Sequence, residues 1–174
     1  LLIAERMDVI AHLGVLGRIL MSSATVADAL NEICRYPTLR RAGSIWKLTA
    51  SGDQTFLSYS LTPLVQESAN SAVITPLVMG IQMVMGIQWR LLRHVSRNQC
   101  TPEAVYLAFR KPAETRHYQR FFHCQLVFGA DFNGFAFRTA DLRMPVPSAD
   151  RDLNRILHSY VNLTDSGGPD NLPD

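Results

Sequence analysis

His117, His123 and Cys124 sit close together in the chain, and imidazole and thiolate are the usual ligands of zinc. Their spacing puts no ligand pair on one helical face, and a single histidine is more commonly a hydrogen-bonded core or surface residue. Cys124 beside His123 also suggests an activated thiolate. Sequence neighbours on a strand point to opposite faces, however, so the two form no nucleophile–base pair, and a buried structural cysteine is the ordinary reading. The acids Asp131, Asp141, Asp150 and Asp152 are scattered over loops and helix starts, where aspartate caps or turns the chain. No G-x-S-x-G, Walker loop or H-E-x-x-H is present, and Gly14-x-x-Gly17 falls in a helix start rather than a strand-to-helix turn. The residues therefore predict no catalytic group, no metal site and no cofactor, and leave an enzyme unsupported.

Two kinds of binding chemistry remain. Residues 24–36 could be the first helix of a helix-turn-helix, with Arg35, Arg40 and Arg41 on phosphates. After Pro37 the chain runs into a strand, so no recognition helix follows, and a solvated basic patch is the simpler account. Trp46, Tyr59, Trp89, Tyr106, Tyr118 and Phe122 could line a space between sheet and helices, although aromatic residues also dominate ordinary cores.

The elements that must position these residues follow from periodicity. Ile3, Met7, Ile10, Leu13, Gly17 and Leu20 recur at helical spacing, with a possible break at Gly14 or Gly17. Thr25 and Asp28 form a shortened capping box before the stripe Val26, Leu30, Ile33 and Cys34, and Pro37 stops that helix. Residues 44–62 read as a β-hairpin around Ser51-Gly52-Asp53-Gln54, half buried because Leu57, Tyr59 and Leu61 alternate with polar residues. The strongest helix covers 71–97, with Pro76 in its first turn and Arg90, Arg93 and Arg97 off the apolar stripe. A strand over 104–110 and a short helix with Tyr118, Phe121 and Phe122 come next. Leu126-Val127-Phe128 and Phe135-Ala136-Phe137 then flank Asp131-Phe132-Asn133-Gly134, whose Asn-Gly predicts a second hairpin. Residues 150–160 form a last amphipathic helix with Leu153, Ile156, Leu157 and Tyr160 on one side. The order ααββαβαββα predicts an α+β fold, with a mostly antiparallel sheet of about five strands packed with helices.

With 174 residues the chain fits one domain able to bury a core, and 47% hydrophobic against 18% charged residues excludes a disordered chain. The formal charge of +2 is too balanced for a domain devoted to phosphate backbones, whose pI exceeds about 9. Three widely spaced cysteines match neither a disulfide scaffold nor a zinc module and point to a reducing, cytoplasmic setting. No signal peptide is evident, and the apolar stretch 73–87 falls short of the roughly 18 residues of a membrane span.

The chain resembles the N-terminal regulatory, arabinose-binding-like domain of AraC-type bacterial transcription regulators. The resemblance rests on Leu13-Gly14, on Thr25-Val26-Ala27-Asp28-Ala29-Leu30 with Arg35-Tyr36-Pro37, and on Pro102-Glu103-Ala104-Val105-Tyr106-Leu107. It continues through Tyr118-Gln119-Arg120-Phe121-Phe122, Leu126-Val127-Phe128-Gly129-Ala130, Asp141-Leu142-Arg143-Met144-Pro145 and Ala149-Asp150. It implies a sensing and dimerisation domain over 1–162, with 163–174 starting a linker to a C-terminal helix-turn-helix domain absent from the chain. DNA would be touched only by that absent domain, and the partners here would be an unidentified small effector and a second copy. A pocket is then expected between the sheet and the 71–97 helix. Trp46, Trp89, Tyr106 and Tyr118 would form its apolar walls, and Arg93 would meet an acidic group. Leu153, Ile156, Leu157 and Tyr160 are the expected dimer surface. The alternative is a ligand-free dimerisation or protein-interaction domain of a transcription factor.

Overall fold

The computed structural model describes residues 8–36, 44–61 and 74–166. Expectations for Ile3, Met7, Pro37, Arg40, Arg41, Thr62, the start of the 71–97 helix and the tail after residue 166 lie outside these residues. The elements are α1 (Val9–Leu13), α2 (Val15–Ser22), α3 (Val26–Arg35), β1 (Ser44–Ser51), β2 (Gln54–Leu61), α4 (Ile74–Val95), β3 (Ala104–Leu107), α5 (Arg116–Phe122), β4 (Gln125–Phe128), β5 (Asn133–Arg138) and α6 (Arg151–Ser166). The fold is α+β, and its five-stranded sheet is mostly antiparallel.

Gly14 divides α1 from α2 with a φ of 56°, a conformation glycine takes at little steric cost. The next helix starts on the expected capping box. Thr25 Oγ1 accepts the Asp28 amide at 3.1 Å, and the Thr25 amide donates to Asp28 Oδ2 at 3.0 Å. Helix α3 then buries Val26, Ala29, Leu30 and Ile33.

The strands lie in the order β1-β2-β5-β3-β4. The first two form the expected hairpin around Gly52-Asp53, with Trp46 opposite Tyr59 and Leu48 opposite Leu57. The second expected hairpin does not form. Strand β3 inserts between β5 and β4, antiparallel to β5 and parallel to β4, so α5 serves as the crossover that a parallel pair needs. Asn133 and Gly134 open β5 rather than turn the chain. The Asn133 side chain accepts the Ala108 amide at 2.9 Å, just past the end of β3 at Leu107, three residues short of the expected 110. A Cβ on Gly134 would collide with the Leu57 carbonyl, so glycine here permits two strands to approach closely.

One apolar cluster unites the sheet's inner face, with Leu57, Val105, Phe135 and Phe137, and the α4 residues Met85, Trp89, Leu92 and Val95. A smaller cluster joins Leu16, Ile19 and Tyr36 to Leu157 and Val161 of α6. Among the described residues no helix is long and apolar enough to cross a membrane.

Candidate functional site

Helices α4 and α5 end side by side near the end of α2, and a cleft of about 740 Å³ opens there. Its floor is apolar, built from Met21, Trp89 and Phe121. The α4 stripe that buries Met85, Trp89 and Leu92 in the core leaves Arg90 and Arg93 along its flank, three residues apart, and Arg97 follows in the turn after the helix. Arg120 of α5 faces them across the cleft, and His94, Asn98 and His123 complete the lining. Among the described residues no carboxylate lines the cleft.

The two helices are joined by a hydrogen bond. The Trp89 indole N–H donates to the Phe121 carbonyl at 2.9 Å, satisfying one of the acceptors that a helix C-terminus leaves without an intrahelical partner. Arg93 is held from two sides: its Nε–H donates to Asn98 Oδ1 at 2.6 Å, and its guanidinium carbon lies 5.9 Å from the Trp89 ring centroid. Behind Arg93 the chain turns sharply, with the Asn98 amide donating to the Arg93 carbonyl at 2.8 Å. Arg97, Asn98 and His123 have φ of 47°, 64° and 52°, and among the described residues they are the non-glycine residues with positive φ. All three line this cleft.

The family described as the arabinose-binding domain of AraC transcription regulators, N-terminal part, matches residues 1–146. The chain belongs to this family. The crystal structure of the transcriptional regulator CdpR from Pseudomonas aeruginosa is similar in fold, with a TM-score of 0.74 at 16% sequence identity. The match covers 90% of this chain and 48% of that one, so the chain spans about half the length of that regulator. No curated protein matches the chain.

In this AraC-type domain the expected pocket residues separate. Trp89 and Arg93 meet in the cleft. Trp46 is buried against Tyr59, with ring centroids 4.9 Å apart, and Tyr118 is buried between Phe109 and Phe128. Tyr106 lies on the opposite sheet face from its neighbour Val105, stacked on Phe132 at 4.9 Å. The cleft thus opens beside the end of α4, whereas Trp46 and Tyr118 belong to the packed core. Arg90, Arg97, Arg120, His94 and His123 were not among the expected site residues. The Arg90, Arg93 and Arg97 spacing was a visible signal, whereas Arg120 joins them only through the docking of α5 on α4.

The thiols and the remaining histidine stand apart from this chemistry. Burial, with a lesser contribution from the Asp141 charge, pushes the Cys100 thiol up to about 12, and burial raises Cys124 to about 11. Thiols held so far above neutrality are poor nucleophiles. His117 is exposed and rests on the ring of Tyr118 at 4.1 Å. Burial also raises the Tyr118 hydroxyl. Among the described residues no three His, Cys, Asp or Glu side chains gather as a metal would require.

On α6 the expected dimer stripe divides as well. Leu157 packs against Leu16, Ile19 and Tyr36, while Leu153, Ile156 and Tyr160 are 40%, 60% and 55% exposed.

Proposed function

We propose that the chain is the effector-sensing and dimerisation domain of an AraC-type transcription regulator, acting without catalysis in the cytoplasm. The cleft between the ends of α4 and α5 is the effector site. The observation that carries this reading is the cleft itself, whose volume falls in the range of small-molecule sites, about 300–1,000 Å³, in a domain of a regulatory family. DNA contact is assigned to a helix-turn-helix unit of the kind that accompanies this domain in such regulators. The balanced charge of +2 supports that division of labour.

A physical route supports coupling from cleft to partner. Met21 lines the cleft, and its carbonyl accepts the Ser148 hydroxyl at 2.6 Å. Next to it, the Ser22 carbonyl accepts the Asp150 amide at 3.0 Å, and Ser22 Oγ accepts from Asn154 Nδ2 at 3.1 Å. The end of α2 is therefore tied to the start of α6, whose exposed Leu153 and Ile156 offer an apolar surface to a second copy. An effector acts through this route only if it binds the two arrangements of α2 and α6 unequally.

Native mass spectrometry of the chain, with thermal unfolding across a metabolite library, tests the reading. A retained small molecule, or a saturable rise in Tm, is the expected result, since a ligand of the native state stabilises it by mass action. Bare protein that no metabolite stabilises contradicts effector sensing and favours a ligand-free interaction domain.

A further inference from the structure

We infer that the cleft selects a small oxyanion carrying at least two negative charges, a phosphomonoester or a dicarboxylate. The inference rests on the cleft being the effector site and names the chemistry it takes. Arg90, Arg93, Arg97 and Arg120 line one concavity, and among the described residues no carboxylate lines it. Among the described residues the ion pairs include neither Arg93, Arg97 nor Arg120. Two helix C-termini end here, and each carries about half a negative charge, which together balance only about one of these three cations. Among the described residues no carboxylate lines the cleft to balance the rest.

The guanidinium forks are suited to this task, because their paired N–H groups match carboxylate and phosphate oxygens. Arg93 is preorganised. Its Nε is engaged by Asn98 and its plane lies near Trp89, so less side-chain freedom is lost when its terminal nitrogens meet an anion. A neutral polyol would leave the guanidiniums without a counter-charge. A small molecule suits the concavity better than duplex DNA, because Met21, Trp89 and Phe121 add an apolar floor beside the cations. That floor suits the carbon skeleton of a small molecule.

The test is calorimetry of the chain at constant ionic strength with inorganic phosphate, phenyl phosphate and succinate, beside acetate as a singly charged control. The dianions are expected to bind one site and acetate to fail. Arg97 and Arg120 are exposed, so Arg97→Gln with Arg120→Gln leaves the fold intact and raises the dianion Kd about tenfold or more. Arg18→Gln with Arg110→Gln removes the same charge from exposed positions outside the cleft and leaves the Kd unchanged. Equal weakening by both variants overturns the proposal, since it reports net charge alone. Neutral or cationic metabolites that bind the parent chain and are lost in the cleft variant would also overturn it while sparing the effector-site reading. If no small molecule binds, both readings fail. Duplex DNA that binds in an Arg97- and Arg120-dependent way, where dianions do not, overturns it in favour of a backbone contact.

Discussion

Trp89 serves the core and the cleft at once. It is 3% exposed, packs its ring edge-on to Phe122 with centroids 6.0 Å apart, and donates its indole N–H to the Phe121 carbonyl. Truncation removes packing and leaves a buried carbonyl without its donor, so Trp89→Ala is expected to cost about 3–5 kcal/mol in urea unfolding. A loss below about 1 kcal/mol would show that α4 and α5 are not joined through this side chain. The chemistry of the cleft is therefore better probed at Arg97 and Arg120, whose truncation opens no cavity. Trp89 and Arg93 were named from the sequence as an apolar wall and a partner for an acidic group, and both line the cleft. Trp46, Tyr106 and Tyr118 looked equivalent, since residue type alone does not say which sheet face or helix end a ring will occupy. Burial and strand register decide that, through contacts distant in sequence.

Elements governed by short-range chemistry were the most legible. The capping box at Thr25, the break at Gly14 and the β1–β2 hairpin each depend on residues within a few positions of one another, and each formed as expected. Asn133-Gly134 misled because its turn signal is local, whereas the insertion of β3 between β4 and β5 is a long-range event. Helix α6 illustrates a subtler division. Its apolar stripe was visible, but only packing shows that Leu157 faces α2 while Leu153 and Ile156 face outward. Ile156→Asp should therefore shift the chain from dimer toward monomer in light-scattering chromatography while its Tm stays close to the parent value. Leu157→Asp should lower the Tm itself, because it places a charge against Leu16 and Ile19. A dimer that survives Ile156→Asp would remove α6 from the self-association surface.

At the scale of the whole molecule, a formal charge of +2 conceals a strongly uneven distribution. The cleft gathers residues near 21, 89–98 and 120–123, from three helices separated by strands, and concentrates four arginines with no acid among the described lining residues. Composition reports the sum and misses the concentration, so the clustering of these arginines was not readable from it. In the proposed function the placement of the cleft would join sensing to output, since the end of α2 borders it on one side and holds the start of α6 on the other. The most direct test exploits the two tryptophans, Trp89 in the cleft floor and Trp46 packed on Tyr59 outside the cleft lining. The chain labelled with 5-fluorotryptophan gives two fluorine signals, assigned through Trp46→Phe, to be followed during titration with phenyl phosphate. The account predicts a saturable shift of the Trp89 signal with the Trp46 signal unmoved. A shift of Trp46 alone, or no shift of either signal at saturating ligand, would contradict it.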